Sequence, residues 1–243
     1  MTSSVAGPVL LVLGILAGAG SQRVTGLGFA LVSAPLMALV VGPYDGVLLA
    51  NLLSLAVAAS TFAATWREVD LRRAFSLAVP ALLMVPLGAF TARTLPEPLL
   101  MTVVGGVTVL ALCSVAFGGR VRLADGRWTA VGAGCASGFM NAAAGAGGSP
   151  LALYALGTGW EHRRFVPTTQ LCLLLVGSAS VTAKGLPDLP GPELALAFAA
   201  LAAGIGGGHL LARHVPAAAA RRAVLWLALT GSAVTTVKGV LAW

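Results

Sequence analysis

The chain has 243 residues, 58% of them hydrophobic and only 9% charged, with a mean hydropathy of +0.92. Soluble domains carry about 25% charged residues, so this composition excludes an ordinary water-soluble domain and indicates an all-α integral membrane protein. The formal net charge is +7, but no RNA- or DNA-binding signature accompanies it; nucleic acid is excluded as a partner and the basic residues are read as topology-setting.

Five apolar segments fill the first half, at 5–20, 27–41, 47–66, 71–91 and 99–117. Five more follow at 128–144, 147–159, 166–183, 192–211 and 223–243. The opening stretch 1–19 has no Lys or Arg before its apolar part, so it is expected to be a membrane segment and not a cleavable signal. No soluble domain is expected; 1–243 reads as one transmembrane domain.

The halves align without a gap at a shift of 120 residues: Gly14 falls on Gly134, Gly18 on Gly138, Gly28 on Gly148, Ser60 on Ser180 and Gly88 on Gly208. We read an internal duplication, with repeat 1 at 5–118 and repeat 2 at 128–243. The arginine-rich loops are those of Arg67, Arg72 and Arg73; of Arg120, Arg122 and Arg127; of Arg163 and Arg164; and of Arg213, Arg221 and Arg222. Two segments separate each from the next, so all four share one face, which the positive-inside rule makes cytoplasmic. The other loops carry Asp45, Arg93 with Glu97, and Lys184 with Asp188. The expected protein is multi-pass in the inner or plasma membrane with both termini outside. An odd number of segments per repeat makes the two repeats inverted. The first two segments of each repeat are only 13 to 17 residues long, where a full crossing takes about 20; they are expected to be broken or re-entrant.

The turns between those short segments are the places richest in chemistry. The first tip runs over 18–28 and the second over 138–150, both dense in glycine. Irregular backbone at membrane depth has to be buried in protein or line a polar cavity. A helix starting just after such a tip offers N–H donors and a positive dipole end to an anion. The candidate anion-binding residues are therefore Ser21, Gln22, Arg23, Thr25, Gly26 and Gly28 at the first tip, and Asn141, Gly145, Gly147, Gly148 and Ser149 at the second. Arg23 stands far from the arginine-rich loops, and a cation at depth suggests function. Asn51 and Gln170, each near the start of the third segment of its repeat, add two amides. Plainer readings stand beside these. Glycines let helices pack closely, Arg23 fits a surface loop, hydroxyls such as Ser54 and Ser180 bond back to their own helix, and amides tie helices together.

All eight carboxylates lie in or beside loops, so no segment carries the buried acid of a proton relay or cation site. His209, in the ninth segment, is the one further titrating candidate. Cys113, Cys135 and Cys172 form no metal-binding or redox spacing. No phosphate loop and no nucleophile–base set is present, so neither an enzyme nor a bound cofactor is expected. An anion leaving a negative-inside cell moves down the potential by about 2.3 kcal/mol per charge per 100 mV, which tilts the reading toward export.

The glycine breaks Ala17-Gly18 with Gly26-Leu27-Gly28-Phe29, and Ser137-Gly138 with Gly145-Ala146-Gly147-Gly148, resemble those of the TauE/SafE family of sulfite and organosulfonate exporters. So do Gly88 with Ala92-Arg93, and Gly208 with Ala212-Arg213. The resemblance covers nearly the whole chain. It implies a secondary transporter exporting a small sulfur-containing anion, sulfite, a sulfonate or a sulfoacetate-like molecule, by alternating access with the anion at the two tips. Phe29, the polar run Ser21-Gln22-Arg23 and the early Pro150 depart from the family pattern. The rival readings are a passive anion channel and a non-transporting membrane anchor or sensor. The expected partners are the small anion, the lipid bilayer and a second copy in a homodimer.

Overall fold

The computed structural model describes residues 6–25, 29–117, 122–211 and 217–242. Among them are ten α-helices and no strand: α1 Ala6–Thr25, α2 Phe29–Val41, α3 Pro43–Thr65, α4 Leu71–Thr94, α5 Glu97–Phe117, α6 Arg127–Ala144, α7 Gly148–Thr158, α8 His162–Lys184, α9 Gly191–Leu211 and α10 Ala217–Leu241. Each predicted segment has its helix. The helices overrun the apolar runs where polar residues can continue or cap them: α3 starts on Pro43, the position where a missing N–H costs nothing, and the Asp70 side chain accepts from Arg73 N to cap α4.

Both glycine tips are narrower than the sequence suggested. α1 runs helically through Gly18, Gly20 and Ser21 to Thr25, and α6 runs through Gly138 to Ala144. Glycine inside a helix costs only about 1 kcal/mol, and here the lost side chain permits contact. A Cβ on Gly138 would lie 1.9 Å from the Ala81 carbonyl oxygen of α4, and one on Gly18 would lie 2.0 Å from Ser33 Oγ of α2. These two glycines pack helices together. The aligned pair meets different nearest neighbours, α2 for Gly18 and α4 for Gly138. The second tip proper is Gly145-Ala146-Gly147. Gly145 adopts φ +70, its N–H donates to Asn141 O at 3.0 Å, and Ala146 N–H donates to Met140 O at 3.1 Å, a left-handed glycine stop.

Contacts between loops sort the chain into two faces. Arg163 Nη2 pairs with Glu68 Oε1 at 2.9 Å, Arg73 pairs with Asp125, and Leu123 N–H donates to Gly157 O at 2.8 Å. The α3–α4, α5–α6 and α7–α8 connections therefore share a face, the arginine-rich one. On the other, the Tyr44 hydroxyl donates to Lys184 O at 3.1 Å and accepts from Arg93 Nε at 3.2 Å, while Asp188 N–H donates to Asp45 Oδ1 at 3.1 Å. This face gathers the α2–α3, α4–α5 and α8–α9 connections.

α6 and α7 both have their open ends on the arginine-rich face, so they form a hairpin. α7 has 11 residues, about 16 Å of helix, roughly half the hydrocarbon thickness of a bilayer. α1 and α2 pair in the same way from the opposite face, with Gly7 opposite Val40 and Gly14 opposite Leu36. α1 packs on α9, α6 packs on α4, and α3 and α8 pack on each other.

Four stretches are long and apolar enough to cross a membrane, Pro43–Glu68, Leu71–Thr94, Glu97–Ser114 and His162–Lys184. Leu83 and Phe90 of α4, Leu110 of α5 and Trp226 of α10 all lie more than 60% exposed on the outside. Such surfaces are liabilities in water and suit a hydrocarbon solvent.

Candidate functional site

Six of the predicted residues come together around one small cavity: Gln22 of α1, Asn51 of α3, Asn141 of α6, Gly145 at the second tip, Gly148 of α7 and Gln170 of α8. Its remaining walls include Phe29, Ser54, Leu173 and Gly177, and its volume is about 30 Å³. Ser54 and Leu173 are the midpoints of α3 and α8. The cavity thus sits half-way along the two central helices. It is a small, largely enclosed space.

The amides tie α3, α6 and α8 together. Asn51 Nδ2 donates to Asn141 O at 3.1 Å, and Asn141 Nδ2 donates to Ser180 Oγ at 3.0 Å. Asn51, Asn141 and Gln170 are all buried. Asn51 Oδ1 and Ser54 Oγ are buried without a hydrogen-bond partner. Gly148 opens α7, where N–H groups have no partner within the helix; of these, Ser149 N–H donates back to Ala146 O at 3.3 Å, and Pro150 has no N–H. At the first tip one such donor is already engaged: Phe29 N–H, at the start of α2, donates to Gln22 Oε1 at 3.1 Å.

The other predicted residues are placed differently. Ser21 Oγ donates to Gly18 O at 2.9 Å and Ser149 Oγ donates to Ala146 O at 2.8 Å, so both hydroxyls bond locally and neither lines the cavity. Gly147 packs on α6: its carbonyl accepts from Ser137 Oγ at 2.7 Å, and a Cβ there would meet Asn141 Cβ at 2.5 Å. Gly26 and Gly28 lie outside the described residues. Arg23 and Thr25 belong to the backbone of α1, and His209 to that of α9, but their side chains also lie outside the described residues.

Sequence reasoning missed Lys184. Placed by the sequence in an outer loop, it is the last residue of α8, only 5% exposed, and its ammonium donates to Ala142 O at 2.8 Å. That carbonyl is in the last turn of α6, whose C-terminal dipole end favours a cation. No carboxylate pairs with Lys184 among the described residues. A signal was available: Lys184 and Lys238 are the only lysines of a chain whose other basic residues are arginines.

On the arginine-rich face, Arg73 joins Asp70, Asp125 and the ring of Trp160, which its guanidinium covers at 4.7 Å. The Tyr154 hydroxyl of α7 donates to Asp125 Oδ1 at 3.0 Å. This network ties the α6–α7 hairpin to α4 on the arginine-rich face. Its charges do more than set topology.

No curated protein and no solved structure gives a significant match to the chain. The family model described as sulfite exporter TauE/SafE matches residues 10–235, nearly the whole chain, and the chain therefore belongs to that family of multi-pass membrane transporters.

Proposed function

We propose that the chain exports a small sulfur-containing anion, sulfite or a sulfonate, by alternating access around the cavity at the middle of α3 and α8. The observation that carries this reading is the meeting of Gln22, Asn51, Asn141, Gly145, Gly148 and Gln170 there. The Gly148 N–H at the start of α7 and the amide N–H groups of these side chains supply donors for oxyanion atoms, and Arg23 supplies the charge. The cavity is small and lies between the central helices, so alternating access would load it by parting those helices on one side at a time. Two hairpins opening to opposite faces, α1–α2 and α6–α7, suit an inverted-repeat transporter in which each half closes one route. With the arginine-rich face in the cytoplasm, both ends of the chain are outside, in the inner or plasma membrane.

Purified protein in liposomes tests this with sulfite, sulfoacetate, taurine and sulfate, for wild type and for Arg23→Ala. The expected result is saturable flux of a sulfur anion, lost in a folded Arg23→Ala protein. Flux that never saturates would make the protein a channel. Flux of none of these anions would overturn the transport reading.

A further inference from the structure

The cavity has more than anion-binding chemistry. Its lining carries no charged side chain among the described residues. Two of its oxygen atoms, Asn51 Oδ1 and Ser54 Oγ, are buried with no hydrogen-bond partner. The orientation of the Asn51 amide is fixed by chemistry. A carbonyl oxygen only accepts, so the group facing Asn141 O at 3.1 Å has to be the Asn51 nitrogen, and the oxygen has to point the other way. There it faces the second tip: a Cβ on Gly145 would stand 3.7 Å from Asn51 Oδ1. Asn51 is 1% exposed, so bulk water does not reach this oxygen.

A lone buried acceptor is costly until something donates to it. A fully deprotonated anion brings only more acceptors and would set its oxygens against that of Asn51. An anion that also carries a hydroxyl or N–H satisfies both needs: its oxyanion end takes the Gly148 N–H at the α7 start and the amides, and its own donor meets Asn51. The Ser54 hydroxyl, which can both donate and accept, lies one helical turn further along α3.

We propose that the anion taken by this cavity is itself a hydrogen-bond donor, such as hydrogen sulfite or a hydroxy-sulfonate, and that Asn51 Oδ1 and Ser54 Oγ recognise the donor. The inference rests on the transport reading above and narrows its substrate class. A site built to hydrogen-bond a substrate hydroxyl discriminates against the analogue lacking it, because the site's own group is then left unpaired.

The test compares 2-hydroxyethanesulfonate with ethanesulfonate, monoanions of similar size that differ by one hydroxyl, in proteoliposomes at one pH. Sulfite serves as the reference anion. The expected result is a preference for the hydroxylated sulfonate of at least about tenfold in flux per unit concentration. Ser54→Ala removes a hydroxyl that has no partner, so it folds as wild type and narrows that ratio. Asn51→Ser, which shortens the acceptor, narrows it further. Equal flux of the two sulfonates, with sulfite still carried, would overturn this inference alone and assign the two oxygens to water. A ratio unmoved by both substitutions would overturn it as well. Absence of flux for every sulfur anion would overturn the transport reading, and this inference with it.

Discussion

At Gly138 a methyl group would lie 1.9 Å from the Ala81 carbonyl oxygen, and at Gly134, one turn earlier, 2.3 Å from that of Leu77. These glycines let α6 lie directly on the backbone of α4. Gly138→Ala should separate the two helices at a cost of about 2 kcal/mol or more, read as a lower melting temperature in detergent. Gly132→Ala, on the same helix with nothing within 4 Å, should be neutral or slightly stabilising. Lys184 presents the opposite case. Its ammonium is buried against a neutral carbonyl, and a cation so placed costs stability that a single hydrogen bond does not return. Lys184→Met should therefore melt no lower than wild type in detergent. A large loss of stability would make Lys184 a structural cap for α6.

Among the described α-helices, α7 is the shortest. Its start lines the cavity, and just past its middle Tyr154 is tied to Asp125, which also pairs with Arg73 of α4. Tyr154→Phe removes one hydrogen bond to a carboxylate. It should cost about 1–2 kcal/mol and raise amide hydrogen exchange in α7 more than in α3 or α8. Equal exchange in all three would mean that the hairpin is held by packing alone. The hairpin also explains why the second tip was legible in the sequence and yet drawn too wide. Glycine density marks both places where a chain breaks and places where helices touch, and a sequence pattern does not separate the two. Gly145, with its positive φ, is a break; Gly138 is a contact.

For the whole molecule, the separation of the two loop faces makes orientation a direct test. Replacing the three native cysteines by Ala and introducing Leu186→Cys or Arg164→Cys puts one thiol on each face. In intact cells a membrane-impermeant maleimide should label Leu186→Cys and spare Arg164→Cys. The reverse pattern would invert the protein and put the arginine-rich face outside.

The segments, their order and the grouping of the described loops into two faces were determined by the sequence alone, because hydrocarbon solvent demands long apolar helices and arginine stays on one side. Asn51, Asn141, Gln170 and Gln22 could also be picked out, since a polar amide in an apolar run has to find a partner. Tertiary structure decided which of them share a cavity, which glycines are contacts, and that Lys184 is buried. Those outcomes depend on the packing of α3, α6 and α8, which brings together residues 90 apart in the chain for the Asn51–Asn141 bond. Local pattern carries no record of such distances. It equally left open that Asn51 turns its nitrogen to Asn141 and its oxygen to the cavity, a choice made only when the carbonyl of α6 arrives beside it.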